Sequence, residues 1–190
     1  MSITINGNGT ITGYTPVPNG SITSAKLASG VGGKVLQVVQ EPFTGTDSQS
    51  VSSGGNWVPT NPKCSITPAS ATNKILVQAN VTAALAQNTH GMYLTVLKAG
   101  SPLFVVDADG SNMERVSVGT FSYNDYNFGS FFFNYLDTAG SAGSAIEYSI
   151  RLSHDSGSST TIYLNRTEAT DNVDDRKRGA SSIVLTELAA

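Results

Sequence analysis

The segment Ile75–Ala86, which reads ILVQANVTAALA, decides the fold class. The odd-numbered positions from 75 to 85 are all apolar, and the polar residues Gln78, Asn80 and Thr82 lie between them. Because successive side chains of a β-strand point to opposite faces, this alternation predicts a long strand with one buried face. Residues 146–153, IEYSIRLS, alternate equally cleanly and predict a second strand of the same kind.

Shorter segments of the same character fill the rest of the chain from residue 34 onward. Clusters of Ser, Gly, Asn and Asp separate them, as expected for turns between strands. No segment of that region has a convincing helical period. About ten strands in this span predict an all-β fold, an antiparallel jelly-roll-like β-sandwich. The further strand candidates are 35–40, 64–67, 91–98, 102–106, 114–124, 128–136, 159–165 and 181–188.

The composition of the 190-residue chain supports this fold class and excludes others. Charged residues make up 13%, about half of the usual ~25%, while there are 24 Ser and 20 Thr. A coiled coil would need more Glu, Lys and Leu, and a pI near 5.2 argues against a nucleic-acid partner. Cys64 is the only cysteine, so we expect no internal disulfide and a small, half-buried apolar residue at that position.

The character of the sequence changes near Gly33. Residues 1–33 are rich in Gly, Asn, Thr, Ser and Pro, contain one charged residue, Lys26, and include the turn signal NGNG at 6–9. They are too polar to build a core, and they lack the apolar stretch of a signal peptide. We therefore expect an extended N-terminal anchoring arm over 1–33 and a sandwich domain over 34–190, without membrane insertion.

Three consecutive phenylalanines, Phe131, Phe132 and Phe133, are followed by Tyr135. Consecutive rings in a strand point to both faces of the sheet, so only one set can pack in the sandwich core. The other face must be covered by a loop or by another subunit. Because no helix is predicted that could act as a lid, we favour a subunit and predict that these four residues form an oligomer interface.

Candidates for catalysis and for metal binding are weak. His90 and His154 lie at predicted strand ends without the spacing of zinc ligands, which indicates surface histidines. Neighbours such as His154-Asp155-Ser156 point in different directions and do not form a triad. In Asp107–Asn112 the glycine is fourth, whereas a calcium loop needs it sixth, so a hairpin turn is favoured over a cation site. We expect no catalytic residue, no metal site and no cofactor.

The charge cluster Asp171–Arg178 is interpreted as a solvated loop, with a loop or subunit contact as the alternative.

Several segments resemble bacteriophage tail-fibre and virion-appendage proteins, most of all those of cyanophages and other marine phages. The quoted likeness lies in ITINGNGTITG (3–13), PNGSITSAKLA (18–28), GKVLQVV (33–39) and SITPASATNKILV (65–77). This resemblance implies a virion structural protein, assembled in the host cytoplasm and usually trimeric. It also implies that the arm binds other virion proteins and that the sandwich faces outward.

Two functions fit this resemblance, and a third is remote. The first is a small trimeric tail-fibre or adhesin module that contacts host surface glycans. Tyr123, Tyr126 and Phe128, interleaved with polar residues, are the aromatic side chains suited to stack on sugar rings. Alternatively, a compact sandwich with an arm equally suits a capsid decoration (cement or head-fibre) protein. A polysaccharide depolymerase is the remote alternative, because two carboxylates suffice for glycoside hydrolysis but nothing in the sequence selects a pair.

Overall fold

The computed structural model describes residues 4–5, 11–12, 35–86, 90–107, 114–122, 127–168 and 177–190, with the side chains of 4, 5, 11, 12, 121 and 122 excepted. The chain divides into two units, Met1–Gly33 and Lys34–Ala190. The described part of the first unit is an antiparallel pair of short strands, β1 (Thr4–Ile5) and β2 (Ile11–Thr12). The anchoring role of this unit stays a prediction.

The described residues of the second unit form strands and contain no helix, and so none that could cross a membrane. The strands are β3 (Val35–Phe43), β4 (Asp47–Val51), β5 (Asn56–Trp57), β6 (Lys63–Ile66), β7 (Lys74–Leu85), β8 (His90–Lys98), β9 (Ser101–Leu103), β10 (Val118–Ser122), β11 (Gly129–Thr138), β12 (Ile146–His154), β13 (Thr160–Leu164) and β14 (Ser181–Leu188).

The strands form two antiparallel sheets of six, which we name sheet I and sheet II. In sheet I, β7 is central: β11 pairs along one side of it, and β14 and β13 pair along the other. β3 pairs with β14 and β4 with β13. In sheet II, β8 pairs with β12, β9 and β10 pair with β8, and β5 and β6 pair with β12.

The apolar side chains predicted to face inward pack between the two sheets. The alternating residues of β7 from Ile75 to Leu85 are buried, and so are Tyr148, Ile150 and Leu152 of β12. The prediction of an all-β, jelly-roll-like antiparallel sandwich is confirmed. The trimer stays a prediction.

Several strand boundaries and identities differ from the sequence prediction; β3, for example, runs to Phe43 instead of ending at residue 40. β4 and β5 were not predicted, because DSQSV and the two-residue β5 carry no apolar alternation. β9 ends at Leu103, since Phe104 takes a left-handed backbone with φ 50°. β10 begins at Val118, later than the predicted 114.

Asn165, fully buried at φ 60°, ties three segments of sheet I together through its side chain and its backbone. Its amide nitrogen donates to the carbonyl oxygens of Phe43 and Gly45 at 2.8 and 2.9 Å, and its amide oxygen accepts from Ser181 Oγ at 2.6 Å. Its backbone N–H donates to the carbonyl of Thr82 at 2.8 Å. Asn165 therefore aligns the β3–β4 connection, β7 and β14.

A second buried polar group, Glu187 on β14, holds the opposite end of the sheet. Its Oε1 accepts from Asn73 Nδ2 at 2.6 Å and from the backbone N–H of Ala69 at 2.8 Å. Its Oε2 accepts from Gln37 Nε2 at 2.6 Å. Because buried carboxylates are costly unless hydrogen-bonded, this network fixes both β3 and the 68–73 loop against β14.

Candidate interaction surface

The three phenylalanines of β11 point alternately inward and outward. Phe131 and Phe133 are buried with 1% and 4% of their surface exposed, whereas Phe132 is 68% exposed. Tyr135 is half-buried against the core. Of the four residues predicted as an oligomer interface, Phe131 and Phe133 are therefore already covered within the chain. Phe132 remains free to be covered by a partner.

Phe132 belongs to a wide, flat surface, which we name the outer face. It is formed by the outward side chains of β11, β7, β14 and β3 in four cross-strand rows. The rows are Phe132–Asn80–Ser182–Pro42, Asn134–Gln78–Val184–Gln40, Leu136–Leu76–Thr186–Val38 and Thr138–Lys74–Leu188–Val35.

The chemistry of the outer face is apolar and amide-rich, with one charged side chain, Lys74, in a corner row. Of the seven large apolar side chains exposed in the described residues, four lie here: Phe132, Leu136, Val38 and Val35. With a strand spacing of ~4.8 Å and ~6.8 Å between rows, its plane covers about 500 Å². Eight of its sixteen side chains are polar, so the apolar part of the outer face is smaller than this plane.

A shallow hollow of about 190 Å³ lies on the outer face beside the ring of Phe132. Its lining includes Gln78, Asn80, Asn134 and Val184. The Gln78 amide donates to Asn134 Oδ1 at 3.0 Å, which holds one wall of the hollow in place. An apolar cavity of ~150 Å³ binds benzene, so this hollow has room for one aromatic ring.

A second apolar patch, the side patch, consists of Phe104 and Val106, which are 60% and 69% exposed. The Phe104 ring stacks on Tyr135 with 4.6 Å between centroids and meets Phe133 edge-on at 6.3 Å. Phe104 directly follows β9 of sheet II, while Tyr135 lies on β11 of sheet I. The side patch therefore lies where the two sheets come together at the side of the sandwich.

β11 is held firmly between these two patches. Lys98 Nζ of sheet II lies 2.6 Å from Asp137 Oδ2 and donates to the carbonyl of Thr138 at 2.6 Å. Tyr148 Oη donates to Asp137 Oδ2 at 2.7 Å, and burial, reinforced by this bond, raises the pKa of Tyr148. At the other end of the strand, a Cβ on Gly129 would lie 2.6 Å from Thr120 Cγ2, so only glycine allows β10 to approach so closely.

The residues predicted to contact glycans are mostly outside the described part of the chain. Tyr123 and Tyr126 lie outside it, and Phe128 is half-buried just before β11. The glycan contact therefore stays a prediction. The Asp107–Asn112 turn and the charge cluster Asp171–Arg178 also fall mostly outside, at 108–113 and 171–176.

The two histidines have different environments. His90 is partly exposed with Nδ1 at 3.3 Å from Asp155 Oδ1, as suits a surface residue. The prediction of a surface histidine is wrong for His154, which is 2% exposed. It follows Ile150 and Leu152 on the inward side of β12, and its Nδ1 accepts from the backbone N–H of Ser156 at 3.1 Å. Within the described ranges, no three potential metal ligands cluster.

Cys64 is buried more completely than predicted, with 3% of its surface exposed. Burial, followed by the negative charge of Glu41, raises the pKa of its thiol. A thiol in this state packs as a small apolar side chain.

Comparisons with known proteins give only distant likenesses. No protein-family profile and no curated protein matches the sequence. A solved structure of the infectious bursal disease virus Gt strain is 9% identical with a TM-score of 0.42, covering 80% of this chain and 39% of that one. A structure of the T13 infectious bursal disease virus particle is 10% identical with a TM-score of 0.42, covering 81% of this chain and 36% of that one. The Eiger TNF of S. frugiperda is 13% identical with a TM-score of 0.41, covering 82% of this chain and 94% of that one.

The chain thus spans less than two-fifths of the length of these two viral chains. Identities and TM-scores this low carry no inference about function.

Proposed function

We propose that this chain is a structural protein of a phage virion, a small trimeric tail-fibre or adhesin module. The arm, residues 1–33, attaches it to other virion proteins, and the sandwich, residues 34–190, assembles with further copies and faces the host. The resemblance of segments such as 3–13 and 18–28 to virion-appendage proteins supports this role.

The observation that carries the proposal is the outer face. A chain with few charges concentrates exposed Phe132, Leu136, Val38 and Val35 on one four-stranded surface with a single charged residue. Exposed apolar side chains that cluster on one surface often mark a contact with another protein. Structural proteins of virions are used in many copies, so such a surface suits contacts between neighbouring subunits.

Attachment through the arm follows from its composition. Its described part is a short β1–β2 pair, and its sequence has few large apolar residues and one charge. Such a segment gains order mainly by pairing its backbone N–H and C=O groups with a partner. Contact with host glycans through Tyr123, Tyr126 and Phe128 completes the proposed adhesin role.

A capsid decoration protein is the second candidate. The described strands of the second unit all belong to the two sheets of the sandwich, so that unit presents a compact body rather than a shaft in the described part of the chain. A compact body on an arm suits a protein that covers a capsid surface equally well.

Deletion of residues 1–33 tests the proposal. The truncated chain 34–190 is expected to remain soluble, rich in β-structure and oligomeric, and to be missing from purified virions when it replaces the full chain during infection. Circular dichroism, sedimentation and immunoblots of gradient-purified particles give the three readouts. Aggregation of the truncated chain would contradict the division at Gly33, and normal incorporation would contradict attachment through the arm.

A further inference from the structure

The polar and apolar side chains of the outer face separate along the strands. In the two rows that begin with Leu136 and Thr138, the apolar side chains are Leu136, Leu76, Val38, Leu188 and Val35. In the two rows that begin with Phe132 and Asn134, the polar side chains are Asn80, Ser182, Asn134, Gln78 and Gln40. The hollow beside Phe132 lies in this amide-rich half, away from the apolar half that suits a neighbouring subunit.

The lining of the hollow combines one exposed aromatic ring with several neutral hydrogen-bonding groups. The ring is that of Phe132, and the polar groups are the side-chain amides of Gln78, Asn80 and Asn134 and the hydroxyl of Ser182. None of the eight described residues that line the hollow carries a charge. An aromatic surface bordered by uncharged donors and acceptors therefore faces the solvent.

Most of the hydrogen-bonding capacity of these amides is unused within the described residues. One bond joins two of them, from Gln78 Nε2 to Asn134 Oδ1 at 3.0 Å. Each side-chain amide has one acceptor oxygen and two N–H donors. Gln78 Oε1, the Asn134 NH₂ group and the whole Asn80 amide thus remain available to a ligand. All three residues project from paired strands, so little ordering is needed when a ligand binds.

We propose that the hollow binds a neutral pyranose, a single six-membered ring of a host glycan. One face of the sugar stacks on Phe132, and its hydroxyl groups bind the amides of Gln78, Asn80 and Asn134. This inference rests on the proposed adhesin role and gives it a further sugar site on a sheet face, separate from the aromatic residues at 123, 126 and 128.

A sugar ring matches this lining better than an apolar side chain of another protein does. One face of a pyranose consists of C–H groups, which pack against the face of an aromatic ring. Its rim consists of hydroxyl groups, which both donate and accept hydrogen bonds, as the amides do. An apolar side chain in the same place would remove water from the amides without replacing their hydrogen bonds, which is costly.

Size and charge narrow the class of ligand. The hollow of about 190 Å³ exceeds the ~150 Å³ cavity that holds benzene, so it has room for one six-membered ring. The charged side chain of the outer face, Lys74, lies about 14 Å along β7 from Gln78, and its Nζ donates to Thr138 Oγ1 at 2.7 Å. An acidic sugar would bring a carboxylate to the hollow without a cation beside it, so neutral sugars are favoured.

A shallow site for one ring binds weakly and depends on many copies. For a ligand of about twelve non-hydrogen atoms, ordinary binding efficiency gives a Kd of about 1–10 mM. Many copies on one particle engage a surface polysaccharide together, and their combined affinity exceeds that of each site by orders of magnitude. Millimolar binding by a single copy therefore fits an adhesin.

Titration of the ¹⁵N-labelled full chain with D-glucose, D-galactose, D-mannose and N-acetyl-D-glucosamine, followed by NMR at pH 7, tests the proposal. At least one of these sugars is expected to shift the side-chain NH₂ signals of Gln78, Asn80 and Asn134 with a Kd of about 1–10 mM. D-glucuronic acid is expected to bind at least ~10-fold more weakly. No shift with any of the four sugars up to ~50 mM, or binding of D-glucuronic acid as tight as theirs, overturns the proposal.

Two variants and two matched controls locate the site. Phe132→Ala and Gln78→Ala are each expected to weaken sugar binding at least ~10-fold, followed through the Asn80 NH₂ signal. Phe104→Asn removes another exposed ring and keeps a residue that tolerates φ 50°, and Gln49→Ala removes an exposed amide on β4; both should bind as the unaltered chain does. Circular dichroism first confirms that all four fold. Undiminished binding by Phe132→Ala overturns the site.

Other occupants and the proposed function give different results. Shifts of the same NH₂ signals on dilution of the protein, with none on addition of sugar, would assign the hollow to a second copy and overturn the proposal. Binding that survives Phe132→Ala but is lost in Tyr126→Ala would overturn this site and leave the adhesin role standing. A chain that binds sugar as described but is missing from purified virions removes the virion role and leaves the sugar site standing.

Discussion

Replacement of Glu187 by Gln is expected to lower the free energy of unfolding by about 2–4 kcal/mol at pH 7. The two carboxylate oxygens accept from Asn73, Ala69 and Gln37. Glutamine offers one acceptor oxygen, so its NH₂ group must face a donor at the other position. The Gln37 amide cannot simply rotate to accept, because its Nε2 also donates to the carbonyl of Thr67 at 2.8 Å.

The magnitude follows from one or two lost bonds to a charged group, each worth about 1.5–3 kcal/mol, in a site that is closed to water. For a chain of this size it corresponds to a fall of roughly 5–15 °C in melting temperature. Urea unfolding followed by circular dichroism, at one fixed protein concentration, measures the difference.

Acid should reduce this difference. Burial alone would raise the pKa of Glu187, but the hydrogen bonds from Asn73, Gln37 and the backbone of Ala69 and Ser70 outweigh it and hold the pKa below its ordinary value. The unfolded chain therefore binds this proton at a higher pH than the folded chain does. The stabilisation is complete above the unfolded pKa of ~4.3 and is lost as the pH falls through the lower folded value.

The control for Glu187→Gln is Glu147→Gln, because the exposed Glu147 pairs with Lys63 at 3.3 Å and should matter by less than ~0.5 kcal/mol. Equal stability of Glu187→Gln and the unaltered chain at pH 7 would refute the reasoning. So would a difference that grows between pH 7 and pH 3.5.

Three further predictions concern the core, the buried amide and metals. In protein dilute enough to stay monomeric, Phe131→Ala is expected to lower the free energy of unfolding by about 3–5 kcal/mol and Phe132→Ala by under ~1 kcal/mol. Equal losses in urea titrations would contradict the placement of Phe131 inside the sandwich and Phe132 outside it. Asn165→Gly keeps the left-handed backbone but removes the buried side-chain amide, so we expect it to lower the free energy of unfolding by about 2–4 kcal/mol. The control is the same substitution at the exposed Asn134, which is expected to cost only the ~1 kcal/mol that glycine costs in a strand. EDTA should leave the melting temperature unchanged, and a fall of more than ~5 °C, roughly 1–3 kcal/mol, would reveal a metal site.

The fold class could be predicted because the two segments that decide it alternate between apolar and polar side chains, and both Ile75–Ala86 and 146–153 form strands in the structure. The alternation did not predict that Val81–Leu85 and most of β12 are buried on both faces. β4 could not be found in this way: Asp47–Ser50 is polar, only Val51 is apolar, and the segment becomes a strand by pairing with β13. Its identity depends on a partner that is more than a hundred residues away.

For two buried polar residues, the position in a strand indicated burial more reliably than the polarity of the side chain. Glu187 continues the inward series of Ile183 and Leu185, and His154 continues that of Ile150 and Leu152. Position within the alternation placed these side chains inside, although their polarity suggested the surface.

The candidate site was partly predictable. Three consecutive aromatic residues on one strand do imply rings on both faces, which singles out Phe132 as the exposed one once the inward set is known. The stacking of Phe104 on Tyr135 had no sequence signal, because β9 and β11 belong to different sheets and meet only in the folded sandwich.

The location of the chain on the particle tests the central claim most directly. Gold-labelled antibody against the sandwich domain, applied to gradient-purified virions of the proposed phage and viewed by negative-stain electron microscopy, gives that location. The proposal predicts label at the distal end of the tail, whereas label over the whole head would favour the decoration protein. Virions that carry no label, while the same antibody detects the chain in the infected-cell lysate, would contradict a structural role in the particle.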